Sequence, residues 1–209
     1  MREAQAGGPP KLLIYTLTGL GALGFLLAGA AVAVRLWVAQ PYRLPSASME
    51  PTVMTGEYVL ARNATIVNGA PRVADGDIVF HLDHGRTFIR RVLALPGQSI
   101  GFRDGVPIVD GVAATEASAG SGADGVRIVR ETLNGRSYSV QYMDDNALDR
   151  VRNVPITVTP PGEIYVVGDN RDNAMDSRII GPVALASVHH VGGWIIVSPV
   201  RARVGKALE

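Results

Sequence analysis

The pattern of apolar and polar positions divides the chain sharply in two. Leu12 to Val34 is an apolar run of 23 residues without a charge, bounded by Lys11 and Arg35. At 1.5 Å of rise per residue, a helix of that length crosses a hydrocarbon core of about 30 Å. A cleaved secretory leader is the competing reading, because Ala31-Val32-Ala33 offers small residues at A-x-A spacing. Such leaders carry a shorter apolar region, about 7–15 residues, and here Leu36-Trp37-Val38 continues beyond Arg35. The pattern therefore predicts a short segment over 1–11 and a retained single-pass anchor over 12–38. Trp37 and Tyr42 would lie near the outer interface.

Beyond residue 38 the period changes to two. Gly56–Ala61, Ile78–His81 and Thr87–Leu95 read as strands, the last two joined as a hairpin through Leu82–Arg86. A turn about His84-Gly85 would pair Val79 with Arg90 and His81 with Phe88, putting all four side chains on one face. Ile100–Phe102 and Val106–Val109 flank Asp104-Gly105 as a second hairpin, and Val126–Met143 folds about Asn134-Gly135 as a third. Ala113–Gly125, rich in Ala, Gly and Ser and without periodicity, reads as a mobile surface loop. Asp144–Arg152 reads as charged and exposed. Ile156–Val158, Ile164–Val167 and Trp194–Val197 complete a set of short strands, so residues 39–209 form a mainly β domain.

Composition narrows the chemistry. A net charge of +1 gives no electrostatic footprint for nucleic acid, and the absence of cysteine removes disulfides and thiol metal sites. Basic residues total 20, of which only Lys11 and Lys206 are lysines. The acidic, amide-rich stretch Gly168–Arg178 invites a cation loop, but EF-hand spacing fails: it lacks Gly at the sixth position and a closing Glu. No cofactor and no metal are expected.

Pro45-Ser46-Ala47-Ser48-Met49-Glu50-Pro51-Thr52 carries two hydroxyls between two prolines. Proline fixes φ and restricts its predecessor, so this segment reads as stiff and extended. A serine on rigid backbone suits a nucleophile, whose attack geometry tolerates little wobble.

This stretch, followed by Gly56-Glu57-Tyr58, Arg91-Val92, Leu95-Pro96-Gly97 and then Gly168-Asp169-Asn170-Arg171-Asp172-Asn173 with Asp176-Ser177-Arg178, resembles the bacterial type I signal peptidases. These are membrane-anchored serine endopeptidases that remove signal peptides from exported proteins. The resemblance covers about Pro41 to Ser198. It implies a signal-peptidase-like β-rich ectodomain carrying a β-rich insertion at about 103–161, behind a single N-terminal transmembrane helix. It also implies a place in the cytoplasmic (inner) membrane, N-terminus inside and main domain outside. Partners would be the signal peptides of exported preproteins, the lipid bilayer and the export machinery. Ser48 would be the nucleophile, with Ser46 and the Ser48 N–H binding the oxyanion. Leu44, Pro45, Met49, Phe88 and Ile89 would line shallow pockets for small substrate residues. Arg91 with Asp169, and Arg178 with Asp176, would brace the site.

Two positions depart from that pattern. The family's general base is a lysine kept neutral by burial, and here the position holds Arg90, which is effectively never deprotonated. The serine that orients that lysine is replaced by Ala174. His81 is a candidate substitute base, with an ionisation expected near ~6, because a cation close by lowers the usual ~6.5. His84 and His189-His190 are weaker candidates. Two functions follow: a signal-peptide-cleaving endopeptidase with an altered base, or a catalytically impaired homologue that binds signal peptides or membrane partners without cleavage.

Overall fold

The computed structural model describes residues 11–122, 125–143 and 149–208. The first of two compact units ends at Ala39 and consists of α1 (Lys11–Trp37), a helix of 27 residues. Within it, side chains are described for 15, 16 and 18–33, and among the described residues no helix is long and apolar enough to cross a membrane. The anchor expected over Leu12–Val34 thus falls partly outside the described side chains, and 1–10 of the expected leading segment lie outside altogether.

The second unit spans Gln40–Glu209. Its first part holds β1 (Ala39–Arg43), β2 (Tyr58–Asn63), the short pair β3 (Ile66–Val67) and β4 (Ala70–Pro71), β5 (Ile78–Asp83) and β6 (Arg86–Ala94). A middle part holds β7 (Ser99–Arg103), β8 (Val106–Val109), β9 (Val112–Ala113), β10 (Thr115–Ser121), β11 (Arg127–Leu133), β12 (Arg136–Tyr142), the single-turn α2 (Asp149–Arg152) and β13 (Val154–Val158). The last part holds β14 (Glu163–Val167), α3 (Ser177–Ile180), β15 (Val183–Ala184) and β16 (Val188–Val197). The first and last parts interleave in a seven-stranded sheet ordered β1-β2-β16-β5-β6-β14-β15. The middle part forms a three-stranded sheet, β10-β11-β12, and a four-stranded one, β13-β7-β8-β9. The unit is mainly β.

Turn chemistry fixes the hairpin that carries the site. His84 and Gly85 both adopt positive φ, 45° and 76°, as a two-residue loop matched to strand twist requires. The register that follows is Val79↔Arg90 and His81↔Phe88. Alternation then sends Phe80 and Ile78 to one core with Leu44, Met49, Val53, Val59, Ile89 and Ile195, while Val79 packs with Val92, Val166 and Val188 on the other face. Both faces of the central strands are therefore covered. A third core joins Leu93 and Tyr165 to the middle sheets through Ile100, Phe102, Val109 and Val140.

Three expectations need correction. Residues 115–121, read as loop, form β10, whose Ala and Ser side chains are mostly exposed. Its order comes from the backbone ladder to β11, with a register irregularity between Ser118 and Gly120, so no apolar alternation marks it. The Ser46–Thr52 segment is not extended: Glu50 N–H donates to Ala47 C=O (3.1 Å) and Val53 N–H to Met49 C=O (2.9 Å), closing successive turns. The prolines remove only their own donors and leave those bonds free to form. Residues 144–148 lie outside the described set, but α2 is not simply an exposed charged segment. Val151 is buried, and Arg152 binds the Asp172 carboxylate at 2.6 Å.

Candidate active site

Ser48 sits in the turn that leaves β1, and three sets of bonds hold that turn. Leu44 exchanges backbone bonds with Glu57 and Gly56, N–H to Glu57 C=O at 3.0 Å and Gly56 N–H to Leu44 C=O at 2.7 Å. Asn170 clamps the far side, its N–H donating to Ser48 C=O (3.1 Å) and its Nδ2 to Ala47 C=O (3.1 Å). The Thr52 hydroxyl donates to Asp169. Gly168 allows the close approach: a Cβ there would lie 2.4 Å from Ala174 Cβ and 2.6 Å from Ser48 C=O. Ser48 itself is buried, and its N–H donates to Ser46 Oγ at 3.2 Å.

The Asp/Arg frame lies directly behind. Asp169 receives Arg91 Nε at 2.8 Å and Nη2 at 2.7 Å, and Asp176 receives Arg178 Nε at 2.9 Å and Nη2 at 2.7 Å. Such two-pronged pairs fix orientation as well as charge. Asp176 also caps α3 and accepts from Gly168 N–H at 2.9 Å, so it ties the strand end to the helix that follows. Tyr138 faces the Arg91 guanidinium at 4.1 Å, a favourable cation–ring arrangement.

Sequence reasoning missed two further pairs. Arg171 meets Glu131 with both Nη atoms at 2.7 Å, tying the motif to β11. Arg203 Nε meets the fully buried Glu57 at 2.6 Å, while Arg203 Nη2 donates to Thr52 C=O at 2.9 Å. Burial alone would raise the Glu57 pKa, but the Arg203 bond and the Met54 N–H bring it below the ordinary carboxylate value. Both carboxylates stood in the sequence without any local signal of their partners.

The expected pocket residues converge. Leu44, Pro45, Met49, Phe88 and Ile89 line one cavity of about 340 Å³ together with Ser46, Ser48 and Arg90. Leu44, Met49 and Ile89 are also core residues, so the same side chains build the wall and the interior behind it. Tyr42, Arg43, Arg86 and Thr87 complete the lining; Tyr42 was expected near a membrane interface, and none of the four was expected in the pocket.

Arg90 lies against Ser48. It is 5 % exposed, and its Nη1 donates to Ser48 Oγ at 2.8 Å. Its remaining bonds go to backbone: Nη1 to Ile89 C=O (2.6 Å), and Nε (3.3 Å) and Nη2 (2.8 Å) to Met175 C=O. Burial lowers its pKa from the usual arginine value, with Asp176 and Asp169 pulling upward and Arg178 downward. Even so, a guanidinium donates and does not accept. Among the described residues nothing accepts the Ser48 hydroxyl proton.

His81, the candidate substitute base, has no bond to Ser48 among the described residues. It is 2 % exposed, stacks on Phe88 at 5.7 Å between ring centroids, and its Nδ1 has no hydrogen-bond partner among the described residues. It opens on a separate pocket of about 30 Å³ that it shares with Phe88, Arg90 and Met175, and does not line the Ser48 cavity. Burial first, and the Arg90 charge second, lower its pKa to about 4, so the expected ionisation near 6 is corrected. His84 points to solvent beside Asp83, and His190 packs against Tyr42 and Phe80.

A serine held in a braced turn over an apolar groove, on a mainly β scaffold, is the arrangement of a serine-peptidase-type site. Residues 17–197 match the family model described as signal peptidase, peptidase S26, and the chain belongs to that family. The probable signal peptidase I-1 of Synechocystis sp. is 31 % identical over 160 residues, covering 72 % of this chain and 67 % of that protein. Signal peptidase I of Bacillus caldolyticus is 29 % identical, covering 78 % of this chain and 82 % of the relative. That of Rickettsia prowazekii is 26 % identical, covering 76 % and 71 %. A solved signal peptidase I from Enterococcus faecalis V583 is similar at 22 % identity, covering 58 % of this chain and 97 % of that one, with a TM-score of 0.37.

Proposed function

We propose that this chain is a membrane-anchored signal peptidase homologue that binds signal peptides in the Ser48 groove and cleaves them slowly, without general-base assistance. The observation that carries the reading is the 2.8 Å bond from Arg90 Nη1 to Ser48 Oγ. In this reading Ser48 is the nucleophile, and Ser46 Oγ with the Ser48 N–H faces the developing oxyanion. Ser46 Oγ must first let go of that N–H, since the two are bonded at 3.2 Å. Arg90, in the position of the family's base, stabilises negative charge on the serine or oxyanion and removes no proton. Water must then accept it. General-base catalysis is worth about 10²–10⁴ in rate, which sets the expected deficit.

Peptide binding rests on two features. The cavity beside Ser48 carries the apolar side chains of Leu44, Pro45, Met49, Phe88 and Ile89, against which uncharged substrate side chains can pack. Residues 86–90 of β6 pair with β5 on one edge, while β14 joins β6 only from Arg91 onward, leaving an open edge to which an extended peptide can add. Arg91, Asp169, Asp176 and Arg178 hold this arrangement without touching the reacting atoms.

The anchor belongs to the same proposal. Leu12–Val34 supports a single-pass helix in the cytoplasmic membrane, with the N-terminus on the inner side, the β unit on the outer side, and the strands between residues 103 and 161 as the inserted region. The partners would be signal peptides of exported preproteins, the bilayer and the export machinery.

The test uses the full chain in membranes with a preprotein whose signal peptide ends in small-x-small. The expected result is resistance to alkaline carbonate extraction, saturable binding, and slow cleavage that Ser48→Ala abolishes. Rapid cleavage at the usual family rate would sink the reading. A binding-only function is the second reading, favoured by the same Arg90 bond; binding without Ser48-dependent cleavage would select it.

A further inference from the structure

Four arginines of the β unit are buried: Arg90, Arg91, Arg171 and Arg178. Three of them face a carboxylate with two bonds each, to Asp169, Glu131 and Asp176. Arg90 differs. Among the described residues it forms no ion pair, and its four bonds end on two backbone carbonyls and the Ser48 hydroxyl. A guanidinium has five N–H donors, so one, on Nη2, is left uncommitted. A buried charge without a counter-ion is costly, and an anionic ligand relieves that cost on arrival.

The surroundings of Arg90 suit such a ligand. No residue lining the 340 Å³ cavity is acidic, and Arg43 and Arg86 add two exposed cations to it. The guanidinium lies at hydrogen-bond distance from Ser48 Oγ, where the terminal carbonyl carbon of a bound peptide would sit. A peptide that simply ends there carries a carboxylate in place of a scissile amide. One oxygen can accept from Arg90, and the other from the Ser46 hydroxyl and, once Ser46 Oγ releases it, from the Ser48 N–H that it now holds at 3.2 Å. Charge-assisted bonds of this kind are about twice as strong as neutral ones.

We propose that the Ser48 groove is a receptor for peptides with a free C-terminal carboxylate after a small residue, with Arg90 as the carboxylate-binding residue. This rests on the reading that the groove binds signal peptides, and it names the form held most tightly: the peptide after cleavage. A neutral lysine in the same place would offer no fixed charge to a carboxylate, so retention of cleaved peptide is a property that Arg90 gives to this chain.

The experiment titrates the full-length protein in detergent with two fluorescent peptides. Both end in Ala-x-Ala, one as the free acid and one as the C-terminal amide. Loss of even one hydrogen bond to a charged group weakens binding by roughly tenfold or more, so the acid should bind at least about tenfold tighter. In Arg90→Gln the acid should lose its advantage, so that the ratio of acid to amide affinity falls to about one whatever happens to the amide itself, and the unfolding midpoint of the variant shows whether it is folded. The acid-to-amide ratio of the unmodified protein needs no variant, so it decides the matter even where Arg90→Gln folds poorly. Equal affinity for acid and amide overturns the carboxylate receptor and leaves peptide binding in the groove standing. No binding of either peptide overturns both. An acid preference that survives intact in a folded Arg90→Gln protein also overturns the assignment to Arg90.

Discussion

Replacing Arg90 by lysine and Ala174 by serine should raise the rate of cleavage, and the size of the gain can be worked from the site. Position 90 is 5 % exposed and aims at Ser48 Oγ from 2.8 Å. Burial lowers a lysine pKa by up to ~3–5 units from ~10.4, to about 5.5–7.5 here, provided that the neighbouring cations stay paired. Arg91 and Arg178 do stay paired, with Asp169 and Asp176. Most of the amine would then be neutral at pH 8 and able to accept the serine proton. A lysine is shorter than an arginine, so its amine needs help to hold the same line. Residue 174 adjoins Met175, whose carbonyl now receives two Arg90 bonds, so a hydroxyl at 174 is placed to supply that help. General-base assistance then predicts a gain of about 10²–10⁴ in single-turnover cleavage, with Arg90→Lys alone gaining less. The neutral amine fraction grows with pH, so the double variant should show a rate that rises with pH and levels above the lysine pKa. The assay is release of the mature fragment from a small-x-small preprotein across pH 5–9. A wild-type rate within about threefold of the double variant would show that Arg90 does not limit the reaction.

Three more outcomes are expected. Asp169→Ala leaves Arg91 buried without its carboxylate, a loss of about 3–5 kcal/mol, or roughly 6–20 °C in Tm for a unit of this size; Arg91→Met with Asp169→Leu should recover much of it, and a loss below ~1 kcal/mol would refute the estimate. His81 has a folded pKa of about 4 against an ordinary 6.5, so the unfolded chain binds the extra proton first. Its contribution is complete above pH ~6.5 and is lost as pH falls toward 4, by on the order of 2–3 kcal/mol at pH 4.5. Chemical unfolding of wild type and His81→Phe at pH 7 and 4.5 should show that difference, and any Ser48-dependent cleavage should keep its pH profile in His81→Phe. Gly168→Ala drives a methyl against Ala174 Cβ and Ser48 C=O, so it should cost about 1–3 kcal/mol and weaken peptide binding; unchanged unfolding and binding would mean that the turn yields without consequence.

Much of this protein is legible in its residues because the deciding forces are local. Two-residue loops such as His84-Gly85 fix strand register, so the pairing of Val79 with Arg90 and His81 with Phe88 follows from the sequence. The order of the Ser48 and Asp169–Arg178 motifs likewise identifies the family and the residues that gather in one groove. Other features depend on chain segments far apart. The strand over 115–121 has side chains that bury little, so only the ladder of β11 reveals it. The partners of Arg171 and Arg203 come from 40 and 146 positions away, beyond any spacing rule. The sequence could place a histidine on the same strand face as Arg90, but not its environment. His81 is buried in a pocket apart from Ser48, and that burial, together with the Arg90 charge, holds its pKa near 4. Sequence puts an arginine at position 90; tertiary packing brings its guanidinium to 2.8 Å from Ser48 Oγ and, among the described residues, gives it no ion pair. Desolvation and charge pairing are sums over everything that folds around a group, and they exist only once the chain has closed.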